Sequence, residues 1–146
     1  MKNLILEKKS NSVAETFSIA ENFINSLENK DCLIILSGTL GAGKTHFTKG
    51  IFKAMGYKNY EDITSPTFDL VNTYNVPGLI IHHLDLYRLD KLDSEDWLWL
   101  EELLSENSLS VIEWGDKFTF NLNKKIYYIV IEILNENERQ IKIFTN

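Results

Sequence analysis

Apolar positions recur with two periods along this chain, and the switches between them outline its elements. Val13, Phe17, Ala20, Ile24 and Leu27 fall on one helical face behind Ser12-Val13-Ala14-Glu15, a capping box, so a helix is predicted from Ser12 to about Glu28. Cys32-Leu33-Ile34-Ile35-Leu36 then reads as a buried strand. Phe47, Ile51, Ala54 and Met55 repeat at helical spacing from Lys44 to Met55, with Gly56 as the stop. A polar stretch through Asp62 leads to alternating residues from Phe68 to Tyr74, read as a strand, and Pro77-Gly78 marks a turn. Leu79 to Asp85 and Leu109 to Ile112 are further apolar strands, each delivering an acid at its end, Asp85 and Glu113. Between them Asp93 or Ser94 caps a helix to about Ser105. Trp97, Trp99, Leu100, Leu103 and Leu104 share its buried arc and Leu98 falls outside it. The tail, Lys125 to Leu134 and Arg139 to Phe144 around Asn135-Glu136-Asn137-Glu138, reads as an antiparallel hairpin.

The connection between the Cys32 strand and the Lys44 helix carries the chemistry. Gly38-Thr39-Leu40-Gly41-Ala42-Gly43-Lys44-Thr45 has the spacing G-x-x-x-x-G-K-[ST], a loop whose backbone N–H groups wrap a phosphate where side chains would obstruct it. In that reading Lys44 reaches the β- and γ-phosphates, Thr45 offers a hydroxyl to Mg²⁺, and the positive end of the helix faces the anion. Candidate nucleotide contacts are Thr39, Leu40, Gly41, Ala42, Gly43, Lys44, Thr45 and His46.

Magnesium on a triphosphate needs hard oxygen ligands, so Asp85 and Glu113 join Thr45 as candidate metal residues. Either acid can ligate directly or through water while the other orients the attacking water, and the sequence leaves these roles unassigned. Thr67, in Ser65-Pro66-Thr67-Phe68, sits on a connection where nucleotide switches sense the γ-phosphate. Its hydroxyl is either a contact to metal or water, or part of a proline turn into a strand. His82 and His83 flank Asp85 without a zinc-like partner spacing, and core or edge packing is their expected role.

Bulk properties narrow the classes. The 146 residues suit one domain, and the 44% apolar and 25% charged content is that of a globular chain. A net charge of −6 works against autonomous nucleic-acid binding, so any RNA is expected to be held by a partner. No run approaches a membrane span, and Glu7 interrupts the first apolar stretch too early for a signal peptide. A cytoplasmic location is expected. The single cysteine, Cys32, excludes an internal disulfide.

Taken together, Leu40-Gly41-Ala42-Gly43-Lys44-Thr45, Ser65-Pro66-Thr67, His83-Leu84-Asp85-Leu86-Tyr87-Arg88-Leu89 and Ile112-Glu113-Trp114 resemble the TsaE family, in order and spacing, over most of the chain. That family consists of small P-loop ATPases required in bacteria for threonylcarbamoyladenosine modification of tRNA. The resemblance implies a P-loop NTPase-type three-layer α/β fold with a mostly parallel central sheet and an antiparallel C-terminal hairpin. It implies ATP on the loop, Mg²⁺ near Thr45, Asp85 and Glu113, and Trp114 close to the nucleotide. As partners it implies the threonylcarbamoyltransferase subunit and that subunit's non-catalytic relative, which hold the tRNA while the ATPase lets the complex turn over. Lys44, Asp85, Glu113 and Thr67 are then the candidate catalytic residues. Thr39, His46 and Gly115-Asp116 stand where the family usually has Asp, Thr, and Pro or Ala then Glu.

Three other classes use the same loop. A small-molecule kinase needs an arginine-rich lid, and only Arg88 and Arg139 are present. A GTP switch needs a base-reading N-K-x-D, which Asn29-Lys30-Asp31-Cys32 does not supply. A regulator that binds ATP without hydrolysing it needs no general base, and no residue here is compelled to be one.

Overall fold

The computed structural model describes residues 2–66 and 68–146, and Thr67 lies outside the described residues. In chain order the elements are β1 (Asn3–Ser10), α1 (Val13–Ser26), β2 (Cys32–Ser37), α2 (Lys44–Ala54), β3 (Val71–Val76), β4 (Leu79–Asp85), α3 (Ser94–Ser105), β5 (Ser108–Glu113), β6 (Lys125–Ile133) and β7 (Arg139–Thr145). The strands form one seven-stranded sheet in the order β1-β7-β6-β2-β5-β4-β3. Its centre, β6-β2-β5-β4, is parallel, while β1, β7 and β3 pair antiparallel at the flanks.

Strand β2 is buried along its length because helices cover both faces, and this is why it reads as a continuous apolar run. Its residues divide by parity. Cys32, Ile34 and Leu36 face the core shared with α1 and α2, whereas Leu33 and Ile35 face Leu100 and Leu104 of α3. Burial pushes the Cys32 thiol up to about 12, as befits a packing residue. Helices α1 and α2 touch closely at Gly50, where an added Cβ would lie 2.7 Å from the Ala20 Cβ and 2.8 Å from the Phe17 carbonyl oxygen.

Both helix starts behind acids or hydroxyls form as the capping signals require. The Glu15 N–H donates to Ser12 Oγ at 3.1 Å, although the reciprocal Glu15 carboxylate takes the Asn11 N–H rather than that of Ser12. For α3 the cap is Asp93, in a complete capping box with Asp96.

Several expectations need correction. Strand β1 is not predicted by the sequence pattern. It is exposed over most of its length and owes its structure to pairing with β7, so the hairpin of β6 and β7 does not form the sheet's edge. The strand expected from Phe68 begins only at Val71, because Leu70 takes a left-handed φ of 68° and the Val71 N–H turns back to the Asp69 carbonyl. Trp99 is exposed and does not join the core. It lies about 100° from Leu100 around α3, beyond the arc that Trp97, Leu100 and Leu104 bury. None of the described helices is long and apolar enough to cross a membrane.

Candidate functional site

Three parallel strands end at one level of the sheet, and their ends build the site. Asp85 and Glu113 are register partners across β4 and β5, and Glu113 is in turn the partner of Leu36 on β2, two residues before Gly38. The acids thus converge on the loop that leaves β2. This is the carboxyl edge of an open α/β sheet, where loops diverge and leave a crevice.

The loop itself is shaped by its glycines. Gly43 adopts φ 110°, a left-handed conformation that disfavours any side chain, and it leads directly into Lys44 at the start of α2. The Ala42 N–H closes a turn onto the Thr39 carbonyl at 3.0 Å. From outside, Arg139 at the start of β7 braces the loop: Nε donates to the Ala42 carbonyl at 3.1 Å, Nη2 to that of Gly41 at 3.3 Å, and Nη1 to Asn135 at 2.8 Å.

A hollow of about 440 Å³ opens beside this loop, and Leu40, Gly41, Gly43, Lys44, Thr45, His46, Asp85, Glu113 and Trp114 all line it, with Ser65 and Tyr87. Of the expected nucleotide contacts, Ala42 instead lines an adjoining hollow of about 400 Å³, with Ser12, Thr16, Asn137 and Arg139. Gly41, Gly43 and His46 border both. Thr39 lines neither, and Thr67 lies outside the described residues.

Lys44 is buried, yet its ammonium makes no ion pair among the described residues. It donates to the Gly38 carbonyl at 2.8 Å and sits 3.9 Å from the centre of the Trp114 ring. Burial lowers its pKa, and the negative charges of Glu113, Asp85 and Asp116 partly restore it. A buried ammonium with donors to spare, beside a glycine loop at a helix start, is chemically suited to an anion. Two acids and the Thr45 hydroxyl are an all-oxygen donor set of the kind a hard divalent cation takes. Among the described residues no three His, Cys, Asp or Glu side chains group as a metal cage, so such a cation would need phosphate oxygens and water to complete its shell.

Two further residues enter the site: Ser65, which the sequence does not offer as a candidate, and His83, for which the sequence suggests only core or edge packing. Ser65 Oγ lies 2.6 Å from Asp85 Oδ2 and 2.9 Å from Glu113 Oε2, bridging the acids. His83 Nε2 lies 2.7 Å from the same Glu113 oxygen. Asp85 Oδ1 also accepts the Tyr87 N–H at 2.9 Å. The sequence signal for both is position: Ser65 shares a segment with Thr67, and His83 shares a strand face with Asp85. His82, on the opposite face, is structural, bonded to Thr73 at 2.9 Å and to Glu106 at 3.3 Å.

The family profile described as threonylcarbamoyl adenosine biosynthesis protein TsaE matches residues 10–141. The tRNA threonylcarbamoyladenosine biosynthesis protein TsaE of Rickettsia felis is 38% identical over 136 residues, covering 93% of this chain and 78% of that protein. Its namesake in Aquifex aeolicus is 37% identical over 145 residues, covering 99% and 96%. The crystal structure of Bacillus subtilis YdiB superposes with a TM-score of 0.75 at 27% identity, covering 99% of this chain and 87% of that one. On the strength of the shared profile, the shared length and the shared fold, the chain belongs to the TsaE family.

Proposed function

We propose that this chain binds ATP with Mg²⁺ at the carboxyl edge of its sheet, hydrolyses it slowly or when stimulated by partners, and thereby serves the formation of threonylcarbamoyladenosine on tRNA in the cytoplasm. The observation that carries the proposal is the convergence of the Lys44 ammonium with two register-paired acids around one hollow. Family membership and the names of the Rickettsia and Aquifex relatives support the tRNA pathway.

In this reading the loop amides from Gly41 to Lys44 hold the phosphates, and Lys44 exchanges its carbonyl and indole contacts for phosphate oxygens. Magnesium, held by Thr45 and by Asp85 or Glu113, would neutralise charge on the phosphate oxygens. The remaining acid orients the water. Trp114 and Tyr87, whose rings lie 5.0 Å apart, wall the hollow and limit access of bulk solvent. The adjoining hollow lined by Ser12, Thr16 and Asn137 takes the nucleoside end, since it borders the same glycines. The acidic chain leaves tRNA to its partners, the transferase subunit and the non-catalytic relative.

Reconstitution tests this directly. Purified transferase partners and tRNA should give about one round of modification without this chain and many rounds with it. The Lys44→Ala variant should behave as if absent. Equal yields in all three arms would exclude the role, and label passing from γ-labelled ATP to a small acceptor would favour a kinase.

A further inference from the structure

His83 is 1% exposed and Glu113 4% exposed, so their 2.7 Å contact is shielded from water. The other ring nitrogen, Nδ1, is buried without a hydrogen-bond partner among the described residues, and the Phe52 ring lies 6.1 Å away, centre to centre. The contact assigns the ring proton to Nε2. The opposite tautomer would set a lone pair against the carboxylate oxygen and bury an N–H with no acceptor.

Two donors meet on Glu113 Oε2, but they are not equivalent. The Ser65 hydroxyl has a single proton and two carboxylates to share it between, and its contact to Asp85 is the shorter, at 2.6 Å against 2.9 Å. Ser65 also lies on a connection outside the sheet, whereas His83 is held in β4, paired with Val111 of β5 and Asn72 of β3. Among the described residues, His83 is therefore the one side chain committed to Glu113. Both of these bonds fall on Oε2, while the carboxylate lines the hollow.

We propose that His83 is a positioning residue that pins Glu113 Oε2 from the sheet side, so that the other carboxylate oxygen is presented to a divalent cation or water beside Lys44. The inference rests on the reading of Glu113 as part of a magnesium-nucleotide site. Donors that fix a ligating carboxylate raise its effectiveness by removing the cost of ordering it when the metal arrives. A residue with this role affects the gain in nucleotide affinity that Mg²⁺ brings and spares affinity for the nucleotide alone, which depends on the loop and Lys44.

The test is calorimetric titration of the intact chain with ATP, once with excess Mg²⁺ and once with EDTA. Wild type should bind more tightly with Mg²⁺. The His83→Leu variant should lose about tenfold or more of that enhancement while keeping metal-free affinity within about twofold. His83→Gln, whose amide can donate from nearly the same place as Nε2, should recover most of it. Should His83→Leu fail to give a cooperative melt, His83→Asn replaces it, since its shorter amide falls short of Oε2 and should behave as the loss variant. An enhancement unchanged in His83→Leu or His83→Asn, or lost equally in His83→Gln, overturns the positioning role while leaving the site itself intact. A wild type indifferent to Mg²⁺, with Glu113→Gln equally indifferent, overturns the magnesium reading and this inference with it.

Discussion

The ammonium of Lys44 rests 3.9 Å from the centre of the Trp114 indole, and the backbone of Trp114 is held left-handed at φ 62° to place that ring there. A non-glycine residue in this region costs on the order of 1 kcal/mol or more. The cation–π contact returns about 0.5–2 kcal/mol, so the two are of similar size. The strain sits beside the site, at the end of the strand that delivers Glu113.

Nucleotide should therefore be visible through Trp114. When Lys44 turns to phosphate the indole loses its cation, and tryptophan emission should change on addition of ATP. The same titration of Trp114→Phe should be silent, because Trp97 packs against Phe118 and Phe120 and Trp99 lies on exposed helix surface, both outside the hollow. A full signal in Trp114→Phe would contradict the placement.

Much of this site was legible because its parts obey local rules. Strand β2 and helix α2 announce themselves by period, the loop by spacing, and Asp85 and Glu113 by closing apolar runs. What stayed hidden depends on register and return of the chain. Nothing local says that Ser65 will reach carboxylates 20 and 48 residues away, or that Arg139 will brace a loop nearly a hundred residues earlier. His82 and His83 look alike in sequence, and only the alternation of β4 sends one to Glu106 and the other to Glu113. Strand β1 was illegible for the opposite reason: its residues are largely exposed, so the pattern of apolar positions carries little of the signal that burial writes.

Arg139→Ala should loosen the loop and strip one lining side chain from the adjoining hollow, without touching phosphate chemistry. It removes the donors to the Gly41 and Ala42 carbonyls, contacts worth about 1.5–3 kcal/mol when one partner is charged, though partial exposure discounts them. ATP affinity should fall about threefold to thirtyfold. Arg139→Lys should recover little, since one ammonium cannot span both carbonyls. Unchanged affinity in a titration of Arg139→Ala would show that the loop holds its shape alone and that the nucleoside end does not lean on this side chain.

Gly50→Ala sets helix propensity against packing. Alanine gains about 1 kcal/mol in a helix interior, yet its methyl would lie 2.8 Å from the Phe17 carbonyl oxygen and 2.7 Å from Ala20 Cβ. Forcing α1 and α2 apart costs about 1–3 kcal/mol, and because the obstacle includes backbone the upper part of that range should apply. Urea unfolding should show a net loss of roughly 1–2 kcal/mol. A midpoint equal to or above wild type would mean that the helices have room to separate.

Acid should destabilise the fold through buried His82 and half-buried His46. Burial holds His82 below the ordinary value of 6.5, with Glu106 only partly opposing it, and burial lowers His46 as well, aided by Lys49. The folded chain thus resists protonation where the unfolded chain accepts it. Stability is full above the ordinary histidine value and falls as pH drops through it. The melting temperature should decline between about pH 7.5 and pH 5.5, and a His82→Gln variant should show a shallower decline. A melting temperature that rises on acidification over that window would reverse the sign of the argument.

In the proposed site one hollow grips a triphosphate and its divalent ion through the loop, Lys44, Thr45 and the paired acids. Calorimetric titration of the purified chain with ATP in the presence of Mg²⁺, beside Lys44→Ala and the double variant Asp85→Asn with Glu113→Gln, tests it most directly. Wild type should show saturable one-site binding, Lys44→Ala none measurable, and the double variant binding without magnesium enhancement. Wild-type heats no different from dilution, or equal binding by all three proteins, would contradict it.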